Sequence, residues 1–199
     1  GDMIKGVASV EVTDGGNSVQ LVKADLKGAS LNLPWAGWTK GNGVPAQATF
    51  KMTKKGDVTS IEDFKLEGET FRFIGSIGLS NGKFSKANFS SVRLNRGDDA
   101  TVSIQRAKGG YDITVKAASL DLRSLLKRVL SSFESTAKST GSDTIRVKAA
   151  IGSATGFGSE QLQNVQASYT GKGSNVIAFT ASAATSGGGA VSIKNGYVD

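Results

Sequence analysis

The sequence predicts a mainly β (α+β) fold: a curved antiparallel sheet of about a dozen strands in successive hairpins, with one amphipathic helix over about residues 121–138 packed on it. Three observations carry this. Apolar residues recur with a period of two along most of the chain, glycine-rich turn signals stand between the alternating runs, and one stretch alone switches to helical spacing.

The alternation is clearest in "FRFIGSIGLS", where Phe71, Phe73, Gly75, Ile77 and Leu79 share one face and Arg72, Ser76 and Ser80 lie opposite. A strand with one face on a core reads this way, because successive side chains point to opposite sides. "YDITVKA" repeats the pattern with Tyr111, Ile113, Val115 and Ala117, and "TIRVKAAIG" with Ile145, Val147, Ala149 and Ile151. Between such runs stand "DGGNS", "KKGD", "SNGK", "NRGDD", "AKGG", "GKGSN" and "SGGG". Their Gly, Asn and Asp residues accept the positive φ that tight turns demand. Asn81-Gly82 is the clearest hairpin signal, since both central positions of a type I′ turn need φ > 0.

Three segments carry a faint internal repeat: "GDVTSIEDFKLEG" (56–68), "GKFSKANFSSVRL" (82–94) and "GSEQLQNVQASYTG" (158–171). In the first, the apolar phase held by Ile61 slips to Phe64 and Leu66; in the last, Leu162 gives way to Val165 and Tyr169. One extra residue in a strand produces such a slip, so each segment is expected to hold a β-bulge.

The helix is read from "SLDLRSLLKRVLSSFESTAKSTG", where Leu122, Leu125, Leu126, Val129, Leu130 and Phe133 form one stripe. Ser119 or Asp121 caps its start, and Lys138 with Gly141 marks its end. A helix flanked by strands buries its stripe on the sheet.

The chain's two tryptophans and two prolines all lie in "LNLPWAGWTKGNGVPAQATF", residues 31–50. Pro34 ends a strand in which Leu31 and Leu33 share a face, because proline donates no ladder hydrogen bond. A compact corner follows, with Trp35 and Trp38 plugging the sheet edge, and after Pro45 a return strand begins with Ala46, Ala48, Phe50 and Met52 in phase. A ligand-stacking role for Trp35 and Trp38 is the alternative.

Composition closes off much chemistry. The chain has no cysteine and no histidine, which removes thiol nucleophiles, disulfides, Cys/His zinc sites and the commonest general base. A serine nucleophile would need a lysine base, and no motif singles out such a pair. "GSATGFGSE" and "TSGGGA" lack the grammar of phosphate-binding loops. In "NRGDD", Asp98 and Asp99 read as a solvated turn rather than a cation loop. No enzymatic activity, metal or cofactor is expected. The net charge of +7 favours an anionic partner, although the basic residues are spread along the chain and no nucleic acid is expected. No apolar run is long enough to cross a membrane as a helix.

Two stretches carry a family resemblance. "LKGASLNLPWAGWTKGNGVPAQATF" (26–50), with its Pro-x-x-Gly-Trp-x-Lys corner and Pro-Ala exit, and "GGYDITVKAASLDLRSLLKRVL" (109–130) resemble landmarks of the AsmA-like bacterial envelope proteins. The matching positions, structural rather than catalytic, are Pro34, Gly37, Trp38, Lys40, Pro45, Asp121, Leu122, Arg123 and Leu125. The resemblance implies a non-enzymatic section of a longer, inner-membrane-anchored periplasmic protein acting in outer-membrane biogenesis through phospholipid handling or transport. It further implies an apolar groove for acyl chains, with headgroups as anionic partners. The expectation is thus a single β-rich domain, residues 1–199, excised from such a body. The alternative is a binding domain for glycan or another anionic envelope polymer, using Trp35 and Trp38.

Overall fold

The computed structural model describes residues 4–33, 38–127, 143–172 and 175–195, and these are mainly β, as the alternation requires. Contacts group the chain into two compact units, Gly1–Arg96 and Gly97–Asp199.

The first unit contains β1 (Ile4–Gly6), β2 (Ser9–Asp14), β3 (Val19–Asp25), β4 (Ala29–Leu33), β5 (Trp38–Lys40), β6 (Ala46–Lys55), β7 (Val58–Gly68), β8 (Arg72–Ser80) and β9 (Lys83–Arg93). Its main sheet has the order β9-β8-β7-β6-β3-β2, and β1-β4-β5 form a separate small sheet. The corner expected after Pro34 is partly strand, because Trp38–Lys40 turns back along β4 and pairs Leu33 with Trp38 and Leu31 with Lys40. Pro34, Trp35 and Gly37 lie outside the described residues.

The Asn81-Gly82 turn forms as predicted. Both residues have positive φ, 50° and 70°, and Ser80 pairs with Lys83 across them, the arrangement of a two-residue hairpin loop. The predicted bulges form too. Between Ile61 and Phe64 the β7–β8 register shifts, with Asp63 at φ 50°. β9 is interrupted twice against β8, near Ser85 and Ser90. Each bulge re-phases its strand and bends it.

The second unit contains β10 (Asp99–Ala107), β11 (Gly110–Asp121), β12 (Thr144–Thr155), β13 (Gln161–Lys172), β14 (Asn175–Thr185) and β15 (Ala190–Asn195), in the order β15-β14-β13-β12-β11-β10. The bulge expected in the third segment falls between Gln163 and Gln166, with Asn164 at φ 52°. One pair departs from successive hairpins: β11 and β12 run parallel, from Gly110 beside Thr144 to Asp121 beside Thr155. Parallel neighbours need a crossover connection, and the segment read as a helix is that crossover. Residues 123–127 are helical, and the Leu126 N–H donates to the Leu122 carbonyl at 2.8 Å. The rest of the expected helix, to about 138, falls in the stretch 128–142 outside the described residues, with Val129, Leu130 and Phe133.

Candidate functional site

Strand phase and register gather the apolar side chains of unit 1 on one face. Ala24 stands beside Ala48, and Val22 beside Phe50; Ala48 stands beside Leu66, and Met52 beside Ile61; Leu66 stands beside Phe73, and Ile61 beside Ile77. On β9, Phe89 pairs with Gly75 and Val92 with Phe73. A string of rings crosses this face: Phe50 to Phe64 at 6.1 Å between centroids, Phe64 to Phe89 at 6.2 Å, Phe89 to Phe73 at 6.0 Å and Phe73 to Trp38 at 6.2 Å. Most of these contacts are edge-on, the geometry that the ring quadrupoles favour.

Gly75 makes the middle of the string possible. It pairs with Phe64 on one side and Phe89 on the other, and a Cβ there would strike the Asn88 carbonyl and come within 2.7 Å of the Phe89 Cα. Only a residue without a side chain lets the two rings approach over β8.

The face is covered at one end. Ala29 and Leu31 of the small sheet pack with Leu26 against Ala24, Ala46, Ala48 and Phe71, with Trp38, Leu66 and Phe73 around them. The rings of Phe50, Phe64 and Phe89, further along, remain partly open to solvent. Beyond them an open depression of about 630 Å³ is lined by residues including Val12, Gln20, Met52, Lys54 and Thr59. The side chains alternating with this face are polar, among them Lys23, Lys51, Lys65 and Lys86, and Lys51 and Lys65 form exposed ion pairs with Asp63 and Glu67 at 2.8 Å.

Unit 2 repeats the arrangement. Ile104 pairs with Ile113 and Val102 with Val115; Ile113 pairs with Val147 and Ala117 with Ile151; Ile151 pairs with Val165 and Val147 with Tyr169. Here the crossover covers one end, with Leu122, Leu125 and Leu126 packed against Ile151, Ala154 and Val165. Within their own units, residues 29–33 with 38–40, and residues 122–127, are therefore the described segments that leave the main sheet and cover an end of its apolar face.

Trp38, Lys40 and the pair Asp121–Arg123 hold these covers in place. Trp38 lies half-buried and edge-on to Phe71, with centroids 4.9 Å apart. Lys40 is only 2 % exposed; its Nζ donates to the Ala29 carbonyl and to that of Gly41 at 3.1 Å. Burial lowers the pKa of its amine, and the charge of Asp25 partly opposes this. Pro45 is exposed just before β6. Asp121 caps the crossover helix as expected: its carboxylate accepts the Arg123 N–H at 3.1 Å and holds the Arg123 guanidinium by three contacts of 2.5, 2.9 and 3.1 Å. This hydrogen bonding keeps the Asp121 carboxyl below its usual pKa, against the opposing effect of burial.

Asp98 differs from the expected solvated turn. It is 2 % exposed and accepts the Asp121 backbone N–H at 2.8 Å, so it braces the strand end that carries the helix cap. Among the described residues no group of three acidic, histidine or cysteine side chains is placed to hold a metal. Among them, too, no helix is long and apolar enough to cross a membrane.

No local sequence pattern shows the ring string. Each phenylalanine is in phase with its own strand, but the bulges decide which of them become neighbours. Compared with family models, curated proteins and solved structures, the chain gives no match in any of the three.

Proposed function

We propose that this chain is a non-enzymatic section of a periplasmic, inner-membrane-anchored protein of the AsmA-like kind, and that it serves outer-membrane biogenesis by holding phospholipid acyl chains on its apolar faces. The observation that carries this reading is the ring string Phe50–Phe64–Phe89–Phe73 of unit 1, partly open to solvent on a face whose alternate side is polar. Contiguous exposed apolar surface of this kind marks a binding surface on a water-soluble fold, and an acyl chain matches it because it asks for no hydrogen bonds. The net charge of +7 suits anionic headgroups.

The packing of Trp38 against Phe71 and Phe73 gives no support to a glycan platform built on that ring. Native mass spectrometry of the chain isolated from bacterial membranes tests the proposal. Phospholipid adducts are expected; protein that carries no lipid, or carries polysaccharide instead, would contradict it.

A further inference from the structure

Charge enters the apolar face of unit 1 at one end. Along β2 the residues in phase with this face are Val10, Val12 and Asp14, and along β6 they include Phe50, Met52 and Lys54. Asp14 stands beside Gln20, Gln20 beside Met52 and Lys54 beside Thr59. Among the described strand pairs of this face no other residue is charged. Lys51 and Lys55 are out of phase with Lys54 and lie on the other side of β6.

This is the uncovered end. The opposite one is closed by Ala29, Leu31 and Trp38 over Phe71, whereas here the depression of about 630 Å³ collects Asp14, Ser18, Gln20, Lys54 and Thr59 around Met52. Asp14 and Lys54 are both exposed, and among the described residues no ion pair joins them. The Asp14 carboxylate accepts the Gly16 N–H at 2.8 Å, which fixes it at the rim and leaves it further acceptor capacity. One strand, β3, separates the two charges, a ladder distance of about 10 Å that the lysine stem shortens. From Phe73 to Leu79 along β8 the face measures about 20 Å, somewhat more than one leaflet of a bilayer's hydrocarbon, about 15 Å.

Resting on the acyl-chain reading above, we propose that this depression is the headgroup subsite of the face and takes a zwitterionic phosphoethanolamine headgroup, its phosphate on Lys54 and its ammonium on Asp14. The acyl chains run from there over Phe50, Phe64 and Phe89 toward the cover at Phe71. A hydrocarbon makes no use of the two charges, and a purely anionic headgroup would meet the Asp14 carboxylate as a like charge. A headgroup that carries phosphate and ammonium together satisfies both, while Ser18, Gln20 and Thr59 supply hydrogen bonds between them. The net charge of +7 draws every anionic lipid alike; the choice among headgroups is made by this local pair.

The test is to incubate the chain with vesicles of equal parts phosphatidylethanolamine and phosphatidylglycerol with identical acyl chains, re-isolate it and measure the retained lipid by mass spectrometry. Phosphatidylethanolamine is expected in about threefold excess. Asp14→Asn should abolish this preference, and Lys54→Gln should lower retention of both lipids about threefold. Glu11→Gln and Lys55→Gln make the same changes in net charge on the other side of the same strands and should leave both quantities unchanged. Equal retention of the two lipids by the parent, or controls as effective as the Asp14 and Lys54 variants, would overturn the headgroup subsite and leave the acyl reading standing; no retained lipid at all would overturn both. Glycerophosphoethanolamine, the same headgroup without acyl chains, should not displace bound lipid, and displacement by it would make the depression a site for small phosphate esters instead.

Discussion

Trp38 meets Phe71 edge to face, with ring centroids 4.9 Å apart and 66° between the planes. Trp38 reaches this position because β5 folds back on β4, and Phe71 because it enters β8 in the phase of the apolar face. The contact closes the covered end of unit 1. Trp38→Ala should therefore cost about 3 kcal/mol in urea unfolding, the low end for a large aromatic because the ring is half-buried. In a Trp35→Phe background, Trp38 emission should be blue-shifted and poorly quenched by acrylamide; a red-shifted, readily quenched signal would place the ring in solvent.

Gly75 and Gly82 should fail for different reasons. Alanine at Gly75 forces a Cβ against the backbone of β9, an overpacking that should cost about 3 kcal/mol. At Gly82 a Cβ meets nothing within 4 Å, but φ is +70°, so alanine there should cost only about 1 kcal/mol, from conformation alone. Equal losses in chemical denaturation would contradict this division.

The Asp121 cap should give a pH-dependent difference. The folded state holds this carboxyl below its usual pKa, so its stabilisation is present above the unfolded value and is lost as pH falls through the folded one. Asp121→Ala should cost about 1 kcal/mol at neutral pH, and the gap from the parent should close in acid, from about pH 4 downward. Asp121→Asn keeps an accepting oxygen and should retain most of the cap without that pH dependence. Melting curves across the acid range check both variants.

Leu126 packs against the cluster of Leu122, Ile151, Ala154 and Val165. Leu126→Asp should destabilise the fold by about 3 kcal/mol, because the carboxylate would find no partner among these apolar groups. Lys127→Asp, at an exposed position one residue on, should stay within about 0.5 kcal/mol of the parent. A normal melt for Leu126→Asp would put the stripe in water.

Much of this architecture is legible in local sequence, because strand phase, type I′ turns and bulges are short-range events. Asn81-Gly82 announces its hairpin, and the slip from Ile61 to Phe64 announces its bulge. The parallel pairing of β11 with β12 is not legible in the same way: Ile113 and Ile145 have identical alternation whichever way their strands run. Lys40 hides for a similar reason. Nothing beside it in sequence shows that β4 will bring the Ala29 carbonyl to its amine. The site is the least legible part, since the neighbours Phe64 and Phe89 come from strands on either side of β8 and meet over a glycine whose role appears only in register.

The central claim, that the apolar face of unit 1 takes up acyl chains, is tested most directly by placing a photoreactive benzoyl-phenylalanine at single positions and irradiating the chain with phospholipid vesicles. Ile77 and Phe89 lie on the apolar face, while their neighbours Ser76 and Asn88 alternate to the other side. Covalent attachment to acyl chains is expected from Ile77→benzoyl-phenylalanine and Phe89→benzoyl-phenylalanine and not from the same replacement at Ser76 or Asn88. Equal labelling from both faces, or none from either, would contradict the account.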